Sequence, residues 1–231
     1  MIHRTHQPNS SDLSNASMPE QYRVLPIRVE FLHGSDLEPH ALKALSMELL
    51  RVYANGFMHS EQALALRQEE FLTDLEVHLR ASERILVVRQ GDLRGVVCSC
   101  IKQCDGSRVY YLGGIILDPE LQRQRIGRSL LMQELYDCQV DILAFHTQSR
   151  HMHRLGMRCA DISLELSQKV AYHMKESHPN IDLETCIDHG RYGGHPLYGD
   201  LKRLKEIALP TIDATAGDAC FFAGFVKTDN S

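Results

Sequence analysis

Three consecutive segments with the composition of β-strands, separated only by tight turns, constrain the fold more than any other feature. They are RILVVRQ (84–90), RGVVCSCIKQ (94–103) and RVYYLGGIIL (108–117), and the turns between them are GDL and CDGS. Short glycine-containing turns join antiparallel neighbours, because a parallel pair needs a much longer crossover. These segments therefore predict three antiparallel strands in succession at the centre of the chain.

Helices are predicted on both sides of these strands. A strand within RVLPIRVEFL (23–32) leads to a helix that Ser35 or Asp36 caps and Gly56 ends, and a second helix begins after Ser60. After the central strands come a helix, the strand VDILAFHTQ and the short helical segment SRHMHRLGM. This order favours a mixed α/β fold in which helices flank a central, mostly antiparallel sheet.

The two ends of the chain differ from this centre. Residues 1–21 are rich in Ser, Asn and Pro and predict a flexible, disordered tail, with a targeting peptide as the minor alternative. Residues 22–231 are interpreted as one domain, with a core over 22–160 and a C-terminal extension over 161–231. The extension is predicted to contain a Gly-rich loop, GRYGGHPLYGD, and a final strand within GDACFFAGFV.

Composition excludes several classes of function. The net charge of −5 argues against a nucleic-acid binder, and no apolar run approaches the roughly 18 residues of a membrane span. Seven scattered cysteines without a secretory signal predict reduced thiols and a cytoplasmic location. Cys98, Cys100 and Cys104 have the spacing of core residues, and the histidines near 151 fit a chelate badly, so no metal site is predicted.

The segment ILDPELQRQRIGRSLL joins a strand to a helix and carries the clearest chemical signal. The first amides of a helix have no partner inside it and carry partial positive charge, which favours a bound phosphate or pyrophosphate. Arg123, Arg125 and Arg128 add full charges there, and Gly127 permits close approach of the backbone. Neither the P-loop pattern nor G-x-G-x-x-G occurs in this segment.

The same segment resembles motif A of the GNAT superfamily of acetyl-CoA-dependent N-acetyltransferases, whose core is Q/R-x-x-G-x-G/A. Gln122 matches the first position and Gly127 the second glycine, whereas Arg125 stands where the family usually has its first glycine. The order of strands and helices from about Arg23 to Met157 also resembles that of the superfamily. Thr147 and Gln148 are similar to a Thr-Gln pair that follows the fifth strand in one subgroup.

The resemblance implies acetyl-CoA as co-substrate, bound between the fourth and fifth strands. The pantetheine arm would lie along Ile115, Ile116 and Leu117. The pyrophosphate would contact the backbone at the helix start, which comprises Gln122, Arg123, Gln124, Arg125, Ile126, Gly127, Arg128 and Ser129.

The reaction implied is acetyl transfer to a primary amine by direct attack in a ternary complex, with a general base and a general acid. The fourth strand lacks the Glu that many relatives use as base, so Tyr111 is a candidate beside Tyr110. His153 is the candidate acid on one alignment of the fourth helix, and Met152 takes its place on another. Tyr198, in the Gly-rich loop with Tyr192 and His195, is the third candidate.

Several alternatives stay open at this point. The acceptor is expected to be a small-molecule or peptide amine, with no nucleic-acid or membrane partner, and the oligomeric state is open, a homodimer being one alternative. A catalytically impaired acyl-CoA-binding regulatory module is the competing function, because Arg125 replaces a glycine and the fourth strand carries no Glu. A structural protein without a cofactor is the third.

Overall fold

A computed structural model of the chain describes residues 26–57, 59–122 and 124–228. The tail predicted over residues 1–21 lies outside this range. The first half of the described chain contains β1 (Arg28–Leu32), α1 (Pro39–Gly56), α2 (Glu61–Ala81), β2 (Arg84–Gln90), β3 (Asp92–Cys104), β4 (Ser107–Leu117), α3 (Pro119–Gln122) and α4 (Ile126–Asp137). The second half contains β5 (Ile142–Thr147), α5 (Arg150–Cys159), β6 (Ala160–Ile162), α6 (Leu164–Met174), β7 (Ile181–Asp182), β8 (Ile187–Asp188), α7 (Leu201–Ile207) and β9 (Ala219–Val226).

The described strands form one sheet in the order β1-β2-β3-β4-β5-β9-β8-β7, and β6 pairs with β9. The predicted antiparallel strands 84–117 are confirmed as β2, β3 and β4. Among the described strands, β4 and β5 are parallel neighbours and the other pairs are antiparallel. The predicted fold class, a mixed α/β fold with a mostly antiparallel sheet, is therefore confirmed.

Residues next to the helix ends determine where α1 and α2 begin and end. The hydroxyl of Ser60 accepts a hydrogen bond from the amide of Ala63 (3.1 Å), so the predicted start of α2 is confirmed, and α1 ends at Gly56 as predicted. The prediction that Ser35 or Asp36 caps α1 is wrong. Those residues form a short 3-10 turn, and α1 begins at Pro39, whose fixed φ suits the first helical turn.

Helices cover both faces of the sheet. On one face, α1 and α2 pack their buried leucines against β2 and β3, and α6 packs on β5 and β9. On the other face, α4 and α5 pack against Tyr110, Leu112 and Phe145. In the described part of the chain, no helix is long and apolar enough to cross a membrane.

The C-terminal region joins the same sheet, because β9 inserts beside β5 along its whole length, from Ile142 opposite Phe225 to Thr147 opposite Cys220. The final strand was predicted, but the short strands β6, β7 and β8 were not. Strands of two or three residues are too short to show an alternating pattern. This insertion brings the C-terminal loop, residues 189–200, beside the ends of β4 and β5.

Candidate active site

The parallel strands β4 and β5 pair over only four residues and then separate. The paired residues run from Val109 opposite Ile142 to Leu112 opposite Phe145. On the other side of β4, Cys98 pairs with Gly114 and Ser99 with Leu112, so Gly113 is the extra residue of a β-bulge. Residues 109–112 of β4 are buried, whereas Gly113 is exposed and residues 114–116 are partly accessible. The bulge therefore marks the point at which the sheet opens.

A cleft of about 140 Å³ lies at this opening. Its walls come from α1, α2, β3, β4, β5, the start of α5 and the C-terminal loop. Most lining side chains are apolar or aromatic. The polar and ionisable ones are Tyr53, Asp74, His78, Cys98, His146, Thr147, Ser149, Tyr192 and Tyr198. Of the residues predicted to contact pantetheine, Ile115 and Ile116 line the cleft, whereas Leu117 is buried against Val88 and Leu121.

A network at the end of β4 fixes the direction in which the chain enters α4. The Arg94 guanidinium binds the buried Asp118 carboxylate (3.0 Å), and the other carboxylate oxygen accepts a hydrogen bond from the Glu120 amide (3.0 Å). The side chain of Gln122 donates to the Leu117 carbonyl (2.8 Å). The Gln122 side chain thus provides a hydrogen-bond donor for the last carbonyl group of β4.

The start of α4 presents the features expected of an anion site. The first amide of the helix to reach a carbonyl four residues back is that of Ser129, which binds Arg125 O (3.2 Å), so the amides of Ile126, Gly127 and Arg128 have no intrahelical partner. The side chains of Arg125, Arg128 and Ser129 are exposed, and Ile126 packs against Leu117 and Leu121. Gln124 hydrogen-bonds to the Glu120 carbonyl (3.1 Å), and Arg123 lies outside the described residues.

Arg125 has a left-handed backbone conformation, with φ 61° and ψ 10°, at the residue before α4. Glycine adopts this conformation without the Cβ clash that other L-residues meet. The position where the GNAT pattern has its first glycine thus keeps the glycine-type conformation in this chain, although the side chain is arginine.

Gly127 faces the space between β4 and α5. A Cβ atom built there would lie 3.3 Å from Leu117 Cδ1, 3.6 Å from Ile115 Cδ1 and 3.9 Å from Leu155 Cδ2. A methyl group fits with small adjustments, but a longer side chain would extend into the gap beside β4.

The three predicted catalytic residues lie in different surroundings. Tyr198 lines the cleft and packs edge-on against Phe57, and burial raises its pKa. His153 is not among the lining residues. Its ring stacks on Phe222 with centroids 4.3 Å apart, and burial lowers its pKa. The neighbouring Met152 lines the cleft instead.

Tyr111 belongs to a buried polar cluster at the inner end of the cleft. Its hydroxyl lies 2.9 Å from His146 Nδ1 and accepts a hydrogen bond from Arg191 (3.4 Å), and burial raises its pKa to about 12. The other side of His146 faces the carboxylate of Asp188, with Nε2 3.2 Å from Oδ2, and Arg191 donates to His178 Nδ1 (3.2 Å). Burial lowers the pKa of His146 and of His178 to about 4, so both rings are neutral at pH 7.

Two sets of described residues bring three potential metal ligands within 4.8 Å of one another. In the first set, made of Cys104, Asp105 and His173, the carboxylate already pairs with Lys169 (3.0 Å). In the second, made of His146, His178 and Asp188, the Arg191 guanidinium lies 3.9 Å from the carboxylate. A bound metal ion would have to compete with these side-chain cations.

The histidines that the sequence groups near residue 150 do not meet. His146 contacts Phe221 and His153 stacks on Phe222, and successive residues of a strand point to opposite faces. His146 and His153 therefore lie on opposite faces of the sheet.

Gln148 connects the end of β5 to the C-terminal loop. Its side chain is completely buried and donates to the carbonyls of Ala214 (3.1 Å) and Asp218 (2.9 Å). Its Oε1 accepts a hydrogen bond from the amide of Leu197 (3.2 Å), a residue that lines the cleft. Gln148, the second residue of the Thr-Gln pair in the sequence, thus holds one wall of the cleft in place.

Asp74 and His78 line the cleft, although no motif in the sequence marks them as site residues. They lie one helical turn apart on α2, beside its buried apolar residues Phe71, Leu75 and Leu79. Polar residues three positions after Phe71 and Leu75 fall on the edge of that apolar face. This spacing is the one sequence feature that could have indicated a site at these two residues, but ordinary surface residues of a helix show the same spacing.

Comparison with known protein families matches residues 46–157 to the acetyltransferase (GNAT) family. Among solved structures, PH1933 from Pyrococcus horikoshii OT3 is 18% identical over 58% of this chain and 85% of its own, with a TM-score of 0.45. The IAA acetyltransferase from Bacillus cereus ATCC 14579 is 14% identical over 87% of this chain and 100% of its own, with a TM-score of 0.44. No curated protein matches the chain. Residues 46–157 of this chain are therefore assigned to a domain of the GNAT acetyltransferase family.

Proposed function

We propose that the protein transfers an acetyl group from acetyl-CoA to a primary amine, by direct attack of the amine in a ternary complex. The observation that carries this proposal is the opening of the sheet between β4 and β5 beside the start of α4. The GNAT family generally uses acetyl-CoA, and an extended thioester needs both an apolar channel and an anion site at a fixed distance. The opened strands and the helix start supply these two elements together.

The residues at this opening fit acetyl-CoA. The amides of Ile126, Gly127 and Arg128 suit the pyrophosphate, because helix starts bind anions through unpaired amides and the helix dipole. The accessible residues from Gly113 to Ile116 suit the amide groups of pantetheine, since β4 no longer pairs with β5 beyond Leu112. The reaction consumes an ammonium ion and a thioester and yields an amide, a thiol and one proton.

Binding and turnover are tested separately. Acetyl-CoA at a hundredfold excess over its dissociation constant should stabilise the protein by about 2.7 kcal/mol, which corresponds to a rise in Tm of roughly 5–10 °C for a chain of this size. Thiol release with a panel of primary amines then measures turnover. Stabilisation without thiol release from any amine would favour the regulatory module. The absence of stabilisation would refute the proposal.

Gly127 provides a matched pair of variants for the site. Gly127→Glu should weaken acetyl-CoA binding, because its side chain enters the gap beside β4 and repels the pyrophosphate. Gly127→Ala should bind nearly as well as the wild type, since its methyl group meets only Leu117, Ile115 and Leu155 at 3.3–3.9 Å. Calorimetric titration of both variants with CoA checks this. Unchanged affinity in Gly127→Glu would remove the pyrophosphate assignment.

A further inference from the structure

The proposed reaction needs a group that removes a proton from the acceptor ammonium, and the described part of β4 carries no carboxylate that could do so. The ionisable groups that line the cleft are therefore the place to look. Three of them are stronger candidates than a tyrosine, whose ordinary pKa is about 10. They are Asp74 and His78 on α2 and His146 on β5.

Both ring nitrogens of His146 lie close to other side chains of the buried cluster. Nδ1 lies 2.9 Å from the Tyr111 hydroxyl, Nε2 faces Asp188, and only 3% of the side chain is exposed. Its pKa of about 4 also makes it a weak base at pH 7. His146 therefore serves the buried cluster and is poorly placed to receive a proton from an incoming amine.

His78 has the opposite properties. Its Nδ1 lies 2.8 Å from the carbonyl oxygen of Asp74 and 3.3 Å from the Asp74 carboxylate, and 43% of its side chain is exposed. A carbonyl oxygen only accepts hydrogen bonds, so Nδ1 must carry the hydrogen. In the neutral ring the basic lone pair is then on Nε2, on a side chain that lines the cleft. This is the arrangement of a base whose tautomer is fixed by an adjacent acceptor.

The walls around this pair indicate the kind of amine. Tyr53, Phe57, Tyr192 and Tyr198 line the cleft together with several aliphatic side chains, and Asp74 is the one carboxylate among the described lining residues. Flat apolar walls bind a ring, and a single carboxylate near the base attracts an ammonium group. A highly charged or strongly polar amine would leave its polar groups unpaired against these walls.

We propose that His78 is the general base of the reaction, that Asp74 is its positioning residue, and that the acceptor is a primary amine attached to an apolar ring. This inference rests on the proposed function. His78 Nε2 takes one proton from the ammonium group, and the freed nitrogen lone pair forms the bond to the thioester carbonyl carbon. The carbon–sulfur bond breaks with its electron pair going to sulfur. One of the two remaining nitrogen protons passes to the thiolate, and His78 releases its proton to solvent.

The test uses 2-phenylethylamine with acetyl-CoA and measures thiol release. The protein should acetylate 2-phenylethylamine with a higher kcat/KM than ethanolamine. His78→Gln should lower kcat by about 10²–10⁴-fold, while acetyl-CoA still raises the Tm as in the wild type. The control is His173→Gln, which removes another helical His–Asp contact (3.0 Å to Asp105) away from the cleft and should leave kcat unchanged.

A second acceptor separates a catalytic role from a structural one. O-benzylhydroxylamine has nearly the shape of 2-phenylethylamine, but its amine is already neutral at pH 7. The decrease in kcat caused by His78→Gln should therefore be much smaller with O-benzylhydroxylamine, because no ammonium proton has to be removed before attack. An equal loss with both acceptors, or no loss with either, overturns the role of His78 as base.

The pH profile tests the positioning role. The contact with Asp74 raises the pKa of His78, against burial and the charge of Arg191, so the rate should fall as the pH drops through this raised value. Asp74→Asn should move that acid limb to lower pH, whereas Glu76→Gln on the same helix should not. The other ionisable groups that line the cleft are Tyr53, Cys98, His146, Tyr192 and Tyr198. They and Arg191, whose charge lowers the pKa of His78, remain in both variants.

The outcomes distinguish this inference from the proposed function. If acetyl-CoA gives no stabilisation, the proposed function itself fails. If acetyl-CoA binds and ethanolamine is acetylated in preference to 2-phenylethylamine, the acceptor class is wrong but the acetyltransferase function stands. If acetyl-CoA binds and neither amine is acetylated, the acceptor class is overturned and the regulatory module is favoured. An acid limb that stays in place in Asp74→Asn overturns the role of Asp74.

Discussion

Replacing Arg125 tests whether the backbone before α4 is strained. The left-handed conformation, φ 61°, costs an ordinary L-residue about 1–2 kcal/mol. Glycine avoids this cost but loses about 0.4–1 kcal/mol through the greater freedom of its unfolded chain. Arg125→Gly should therefore be more stable than Arg125→Ala by roughly 0.5–1 kcal/mol. Both variants lose the same exposed charge, so the comparison isolates the backbone.

The assay is urea unfolding of both variants without ligand, supported by thermal scans in which the difference corresponds to about 1–4 °C. Gln139, which follows α4 with φ 49°, provides a control at the other end of the helix. Gln139→Gly should likewise be more stable than Gln139→Ala. An Arg125→Ala variant at least as stable as Arg125→Gly would show that residue 125 does not hold this conformation in solution, and the strain argument would be refuted.

Two further predictions concern stability. Gly156→Ala should destabilise the protein by about 1–3 kcal/mol, because the new Cβ would lie 2.3 Å from Cζ of the buried Phe145 ring. The control in the same urea unfolding assay is Gly114→Ala, whose new Cβ would have no atom within 4 Å. Because the folded pKa values of His146 and His178 are about 4, below the ordinary value, the unfolded chain binds more protons between pH 6.5 and 4. Stability should therefore fall as the pH drops through this range, by up to about 1.4 kcal/mol per pH unit for each group. His178→Asn should reduce that slope, and an unchanged slope would contradict the assignment.

The central sheet could be predicted because its determinants are local. Tight turns such as CDGS admit only antiparallel neighbours, and Ser60 caps α2 with its own side chain. The start of α1 was misplaced because Ser35 and Asp36 are good caps in isolation, whereas Pro39 three residues later fixes the first helical turn.

The site was harder to predict because it depends on contacts between distant parts of the chain. The proposed phosphate site at the start of α4 could be predicted from a short segment, whereas the proposed base could not. Asp74 and His78 become candidates only when α2 lies over the end of β4 and the C-terminal loop closes the cleft. The choice between Met152 and His153 likewise depended on the exact rotation of α5, which sequence spacing did not determine.

The attachment of the C-terminal loop to Gln148 makes the position of one wall of the cleft independent of the loop's own side chains. The loop contributes Tyr192, Leu197 and Tyr198 to the wall of the cleft, while the buried side chain of Gln148 at the end of β5 binds the loop and the segment that follows it. Because these contacts go to backbone atoms, they tolerate changes in the loop's own side chains. In the proposed reaction, side-chain changes in the loop would therefore alter which amine enters the cleft, while the opening between β4 and β5 that is proposed to bind the thioester stays unchanged.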